Sequence, residues 1–200
     1  MKKYSLEITV FLCGASLMIL EMVGSRILAP YVGTSIIVWT TLIGMVMGFL
    51  SLGYWFGGKM SDKRSDDRVL SAAIFFSAIS VALIILINQP LLSSMQKSVH
   101  NIYVNSLLAA FLLFSLPSFL LGIVSPYAAK LKMSSMDSSG STIGKLYALS
   151  TLGSIVGTFA AGFLLIPFLG TVRVLYFIAI TLVATSLIVY GGKFFRLRVL

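Results

Sequence analysis

A chain of 200 residues that is 58% hydrophobic and only 10% charged is not an ordinary soluble domain, in which about a quarter of residues are charged. The net charge of +9 raises nucleic acid as a partner, but the Lys and Arg residues fall in alternate connections between apolar runs, which excludes a basic binding face of that kind. A spanning helix needs roughly 20 apolar residues, so the chain is expected to be one transmembrane domain, 1–200, all-α and polytopic, with six helices, short loops and no soluble catalytic domain.

The first helix is expected over about 6–28. Lys2 and Lys3 ahead of the apolar run Ile8 to Leu20 imitate a signal peptide, but the run is too long and no Ala-x-Ala site closes it. Cys13 lies within it as the single cysteine, so no intrachain disulfide can form. The second helix, about 36–56, carries no charge, and Gly44, Gly48, Gly53 and Gly57 fall mostly at four-residue spacing. Such a stripe lets helix backbones approach closely, which is how helices pack in lipid. A charged loop from Gly58 to Asp67 leads to a third helix, about 69–87.

Asn88-Gln89-Pro90 opens a polar connection through His100 and Asn105. The fourth helix, about 107–129, contains Pro117 and Pro126, each of which is expected to free a carbonyl and bend the span. The most polar stretch, Lys130 to Lys145, reads as a flexible loop and as the hinge between two halves. A fifth helix, about 146–168, repeats the close-packing signal with Gly153-x-x-x-Gly157, and Pro167 and Gly170 end it. The sixth, about 174–190, precedes the basic residues Lys193, Arg196 and Arg198.

Orientation follows from the loop charges. Lys2, Lys3, the second loop (Lys59, Lys63, Arg64, Arg68), the fourth (Lys130, Lys132, Lys145) and the tail lie on one side. Only Arg26, Lys97 and Arg173 lie on the other. Both termini are therefore expected to be cytoplasmic, in a bacterial or archaeal cytoplasmic membrane.

Glu21 is the acid placed well inside a predicted span. A charge there costs at least ~2.5 kcal/mol on insertion scales, so it must be neutral, paired or facing a wet cavity. Ser25 lies one turn on, whereas Arg26 points about 140° away, so a partner has to come from another helix. Glu21 reads either as a cation-binding or proton-coupling group or as a neutral acid bonding between helices. Arg26 near the helix end can snorkel to the interface.

Ala29-Pro30-Tyr31 and Ser125-Pro126-Tyr127 close the first and fourth helices on opposite faces, where a 3+3 inverted repeat would place equivalents. The candidates for substrate or proton coupling are Glu21, Ser25, Arg26, Tyr31, Ser125, Pro126 and Tyr147. Those for helix packing are Gly48, Gly53, Gly57, Gly153 and Gly157. His100 and Cys13, each the only residue of its type, cannot make a zinc site, and no residues point to a catalytic centre or a cofactor.

Gly58-x-x-x-Asp62-Lys63, between helices two and three, resembles the loop signature of the major facilitator superfamily. The resemblance makes Gly58, Asp62 and Lys63 the candidates for a cytoplasmic latch, with a tight turn at Gly58 and the latching acid at Asp62, although Arg64-Ser65-Asp66-Asp67-Arg68 departs from the rest of that signature. The runs Glu21 to Tyr31, Gly53 to Asp62, Gly122 to Tyr127 and Lys145 to Thr158 look like the membrane region of spermidine synthase-like membrane proteins. In that family such helices precede a cytosolic aminopropyltransferase domain, whose glycine-rich turn and acidic residues have no counterpart in this chain. The resemblance implies a transporter-like module moving or delivering a small cationic solute such as a polyamine. It would act as a homodimer or with a separately encoded synthase-like subunit. The competing expectation is a non-transporting membrane anchor for an aminopropyltransferase or another cytosolic partner.

Overall fold

The computed structural model describes residues 4–133 and 139–196. Lys2, Lys3, the centre of the expected hinge loop at 134–138 and Arg198 lie outside them. Helices α1 (Ser5–Val32), α2 (Ile36–Lys63), α3 (Asp67–Ser98) and α4 (Ile102–Lys132) are followed by α5 (Ser139–Ala160). Helix α5 runs through a π-helical turn, Ala161–Leu165, into the short α6 (Ile166–Leu169), and the last helix is α7 (Thr171–Arg196). Six helical segments are long and apolar enough to cross a membrane, with α5, the π turn and α6 forming the fifth. The expected all-α, six-span architecture of an integral membrane protein is therefore present.

The spans are longer than the apolar runs suggest, and local chemistry explains each extension. Asn88-Gln89-Pro90 lies inside α3 rather than in a connection. The Asn88 side chain donates to the carbonyls of Ile84 and Ile85, at 2.7 and 3.0 Å, so a polar residue is satisfied without leaving the helix. Helix α4 starts early because Asn101 caps it, accepting from the Tyr103 and Val104 amides. Helix α1 continues past Pro30 to Val32 and ends at Gly33, whose φ of 83° needs a residue without Cβ. Helix α2 continues to Lys63, so Gly58 is helical rather than the pivot of a tight turn, and the connection shrinks to Arg64–Asp66. Ser139-Gly140-Ser141 belongs to α5 rather than to a loop. Ahead of Pro167, the Ile166 amide bonds to the Ala161 carbonyl, the i→i−5 step of a π turn.

Helix α1 is the centre of the bundle: 72% of its apolar window is buried, against 22% for α2 and 17% for the fifth span. The principal pairings are α1 along α5, α2 along α4 and α3 along α7. Glycines set the first two. Gly53 and Gly57 of α2 lie against the backbones of Phe119, Gly122 and Ile123, and Gly122 lies against the Leu50 carbonyl. Gly153 and Gly157 of α5 lie against the backbones of Phe11 and Ala15, and Gly14 lies against the Ser150 carbonyl. The two seams share one register, Leu50/Gly53/Gly57 on Phe119/Gly122/Ile123 and Ser150/Gly153/Gly157 on Phe11/Gly14/Ala15.

Gly44 and Gly48 correct the expected stripe, because nothing lies within 4 Å of where their side chains would start. The step from Gly48 to Gly53 is one residue longer than the other steps and turns the stripe about 140° round the helix. Hydroxyls hold the third pairing: Ser71 and Ser186 each donate to the other's carbonyl, at 2.9 and 3.0 Å.

Tyr127 fastens α4 to the α2–α3 connection. Its ring is fully buried. Its hydroxyl donates to the Arg64 carbonyl and accepts from the Asp66 amide, the latter at 3.1 Å. Tyr127→Phe removes these two bonds and the longer contact of the hydroxyl with the Asp66 carbonyl at 3.3 Å while keeping the ring, so it should cost about 1–3 kcal/mol, read as a lower midpoint of unfolding in detergent.

Candidate functional site

Helices α2 and α5 lean on α4 and α1 rather than on one another, and a cleft remains between the two pairs. It holds a cavity of about 350 Å³ lined from α1, α2, α4 and α5. Glu21 stands on its α1 wall, 8% exposed and without a hydrogen-bond or ion-pair partner among the described residues. The wall beside it is apolar, with Leu17, Ile43, Met47 and Leu50, while Ser125, Ser150, Thr151 and Ser154 supply hydroxyls. Ser125 Oγ reaches Ser150 Oγ at 3.5 Å, the long limit of a hydrogen bond. Two tyrosines bound the opposite end of the cavity, Tyr54 of α2 and Tyr147 of α5, in an edge-to-face contact with ring centroids 6.4 Å apart.

Of the seven residues expected to bind or couple, the cavity brings together Glu21, Ser125 and Tyr147. The other four stand elsewhere. The Ser25 hydroxyl bonds to the Met22 carbonyl of its own helix at 2.8 Å. Arg26 is exposed, and Tyr31 is half-buried against the core. Pro126 lines a second, open cavity of about 310 Å³ at the end of the bundle where α2 and α4 finish. Tyr147 borders both cavities.

The second cavity contains two of the three latch candidates, Gly58 and Asp62. Asp62 pairs with Lys130 of α4 at 2.8 Å, while Gly58 faces open space and Lys63 is exposed without a partner among the described residues. Both members of the Asp62–Lys130 pair are well exposed, 68% and 43%.

A stronger clasp at the same end was not expected from the sequence. Glu7, near the start of α1 and 7% exposed, is held by Lys132 from the end of α4 and by Lys145 of α5 at 3.6 Å. The contrast between the clasps is testable. Asp62→Asn should change stability by less than about 1 kcal/mol. Glu7→Gln, which strips the carboxylate from two ammonium groups, should cost about 1.5–3 kcal/mol, both read as unfolding in detergent.

Ser150, Thr151 and Ser154, cavity residues that sequence reasoning missed, had a signal. With Tyr147 they recur at i, i+3, i+4 and i+7, a polar stripe on an otherwise apolar helix. Tyr54 had none, being one aromatic residue among several in α2. Compared with protein-family models, curated proteins and solved structures, the chain gives no match.

Proposed function

We propose that this chain is a six-helix carrier module that binds a small organic cation at Glu21 and passes it across the membrane. One observation carries the reading: a carboxyl side chain without a partner, buried inside an apolar bundle, lines a cavity large enough for a small solute. Such a group is expensive in lipid unless its charge is matched. A cation entering the cavity supplies the match, and a proton supplies it when the cation leaves. Cation and proton then exchange at one oxygen pair, and a proton gradient drives the cation in the direction opposite to the protons.

The proposed architecture is a 3+3 inverted repeat with both termini cytoplasmic. It is supported by the common register of the α2–α4 and α5–α1 seams and by the matching segments Phe11-Leu12-Cys13-Gly14-Ala15 and Phe119-Leu120-Leu121-Gly122-Ile123. That register sets Ser125-Pro126-Tyr127 against Leu17-Met18-Ile19, not against Ala29-Pro30-Tyr31. Tyr54 and Tyr147 then close the cytoplasmic end of the cavity, with Asp62–Lys130 as a weak latch beneath. A second copy covering the exposed α2 and fifth-span faces would complete a pathway that six helices only half enclose. The resemblance to spermidine synthase-like membrane proteins makes polyamines, and a separately encoded synthase-like subunit, the first solute and partner to examine.

The test is flux of labelled butylammonium, putrescine and spermidine into proteoliposomes, with and without an imposed pH gradient. Saturable flux of any of them supports the carrier. Rates equal to those of empty liposomes for all three, from folded protein, would sink it and leave a membrane anchor for a cytosolic partner.

A further inference from the structure

The charge inventory of the cavity narrows the solute. Among the described residues Glu21 is the only acid on its wall. The acids further along the lining helices are already paired, Glu7 of α1 with Lys132 and Lys145 and Asp62 of α2, in the other cavity, with Lys130. A ligand with two or three ammonium groups would carry uncompensated positive charge into an apolar bundle, which costs far more than the contacts of a short alkyl chain return. A ligand with one ammonium group is neutralised.

The remaining features fit the same ligand. Glu21 stands two helical turns from Gly14, about 10 Å along α1, and Gly14 abuts the Ser150 backbone one turn from Tyr147. The carboxylate is therefore towards one end of the cavity and the paired rings of Tyr54 and Tyr147 are at the other. The rest of the lining is Leu17, Met47 and Leu50, which suit methylene groups, and the hydroxyls of Ser125, Ser150, Thr151 and Ser154, which are neutral and bring no second negative charge. The tyrosine faces attract a cation on its way to or from the carboxylate.

Resting on the carrier reading, we infer that the Glu21 cavity selects a monovalent alkylammonium over a polyamine, with Glu21 as its counter-ion and Tyr54 and Tyr147 as its aromatic wall. Glu21, as the single acid, sets the selectivity, and Tyr54 adds affinity, because its ring comes from the other helix pair and completes the wall.

Cys13 reports occupancy. It is the only cysteine and lines the same cavity, so a bound ligand shields it from N-ethylmaleimide. Butylammonium and putrescine have the same four-carbon chain and differ by one ammonium group. With purified full-length protein, butylammonium should halve the alkylation rate at a concentration at least about tenfold below that of putrescine, a difference of about 1.4 kcal/mol. Glu21→Gln should abolish the protection. Tyr54→Leu should weaken it about threefold to thirtyfold while Tyr54→Phe, which keeps the ring, restores it.

The shift in thermal unfolding midpoint with each amine gives the same comparison independently of thiol reactivity. It also shows that each variant is folded. Putrescine protecting as well as or better than butylammonium overturns the monovalent assignment and leaves the carrier standing. No protection and no midpoint shift by either amine overturns both.

Discussion

Glu21→Gln is expected to weaken binding of a monovalent amine at least about 100-fold and to bring saturable uptake to the rate of empty liposomes. Removing one member of a buried ion pair costs about 3–5 kcal/mol, and every 1.4 kcal/mol is a factor of ten. Glutamine keeps the shape and hydrogen-bonding reach of the side chain, so the loss isolates the charge. The same substitution should leave the unfolding midpoint of the ligand-free protein unchanged or higher. No described residue bonds to or pairs with Glu21, and a ligand-free carboxyl at this depth has to hold either an unmatched charge or an extra proton, a cost the amide avoids. Binding and stability thus move apart. A purely structural Glu21, bonding between helices, would give the opposite pattern, with a lower midpoint and unaltered amine flux, and that result would end the functional reading of this residue.

The sequence displays the six spans plainly because in lipid a helix must satisfy all of its own backbone groups, and apolar length alone then marks it. It displays their ends poorly. Asn88, Asn101 and the residues around Pro30 and Pro167 read as breaks, yet Asn88 bonds back into its own helix, Asn101 starts one, and the prolines stand in the last turns of their spans, which run on to Val32 and Leu169.

The site was half legible for a related reason. Glu21 is conspicuous as an acid in an apolar run, and Tyr147 and Ser125 stand in polar patches. Arg26 lies about 140° round the helix from Glu21, and Ser25, on the same face one turn on, stands off the cavity wall with its hydroxyl bonded back to the Met22 carbonyl. Tyr54 enters the cavity because Gly53 draws α2 onto α4, a consequence of three-dimensional packing that spacing along one helix does not contain. Glu7 was hidden by its place at the start of a span, where an acid reads as a helix-end charge, although Lys132 and Lys145 from distant parts of the chain close on it.

Gly153→Leu and Gly53→Leu are expected to be the most damaging single substitutions for the fold. At Gly153 even a β-carbon would overlap the Phe11 backbone, and at Gly53 it would overlap the Phe119 carbonyl and Gly122. A side chain can swing away from an intruder, but a helix backbone has to translate as a whole. Overpacking of an adaptable core costs about 1–3 kcal/mol, and against two unyielding backbones the cost should reach or exceed the top of that range. Aggregation or a midpoint in detergent lowered by about 10 °C or more is the expected readout.

Gly48→Leu is the control from the same helix and the same compositional stripe. Nothing lies within 4 Å of its added carbon, and leucine is the better helix former by roughly 1 kcal/mol, so the isolated chain should be unharmed or slightly stabilised. Should Gly48→Leu prove as damaging as Gly53→Leu, the open face of α2 would be packed in the folded protein, as the proposed second copy would pack it. With Gly48 tolerant and Gly53 and Gly153 intolerant, the α1–α5 and α2–α4 pairs are two rigid blocks. The cleft between them, bridged at one end by Tyr54 and Tyr147, is then the place where the bundle can open without breaking a close-packed seam.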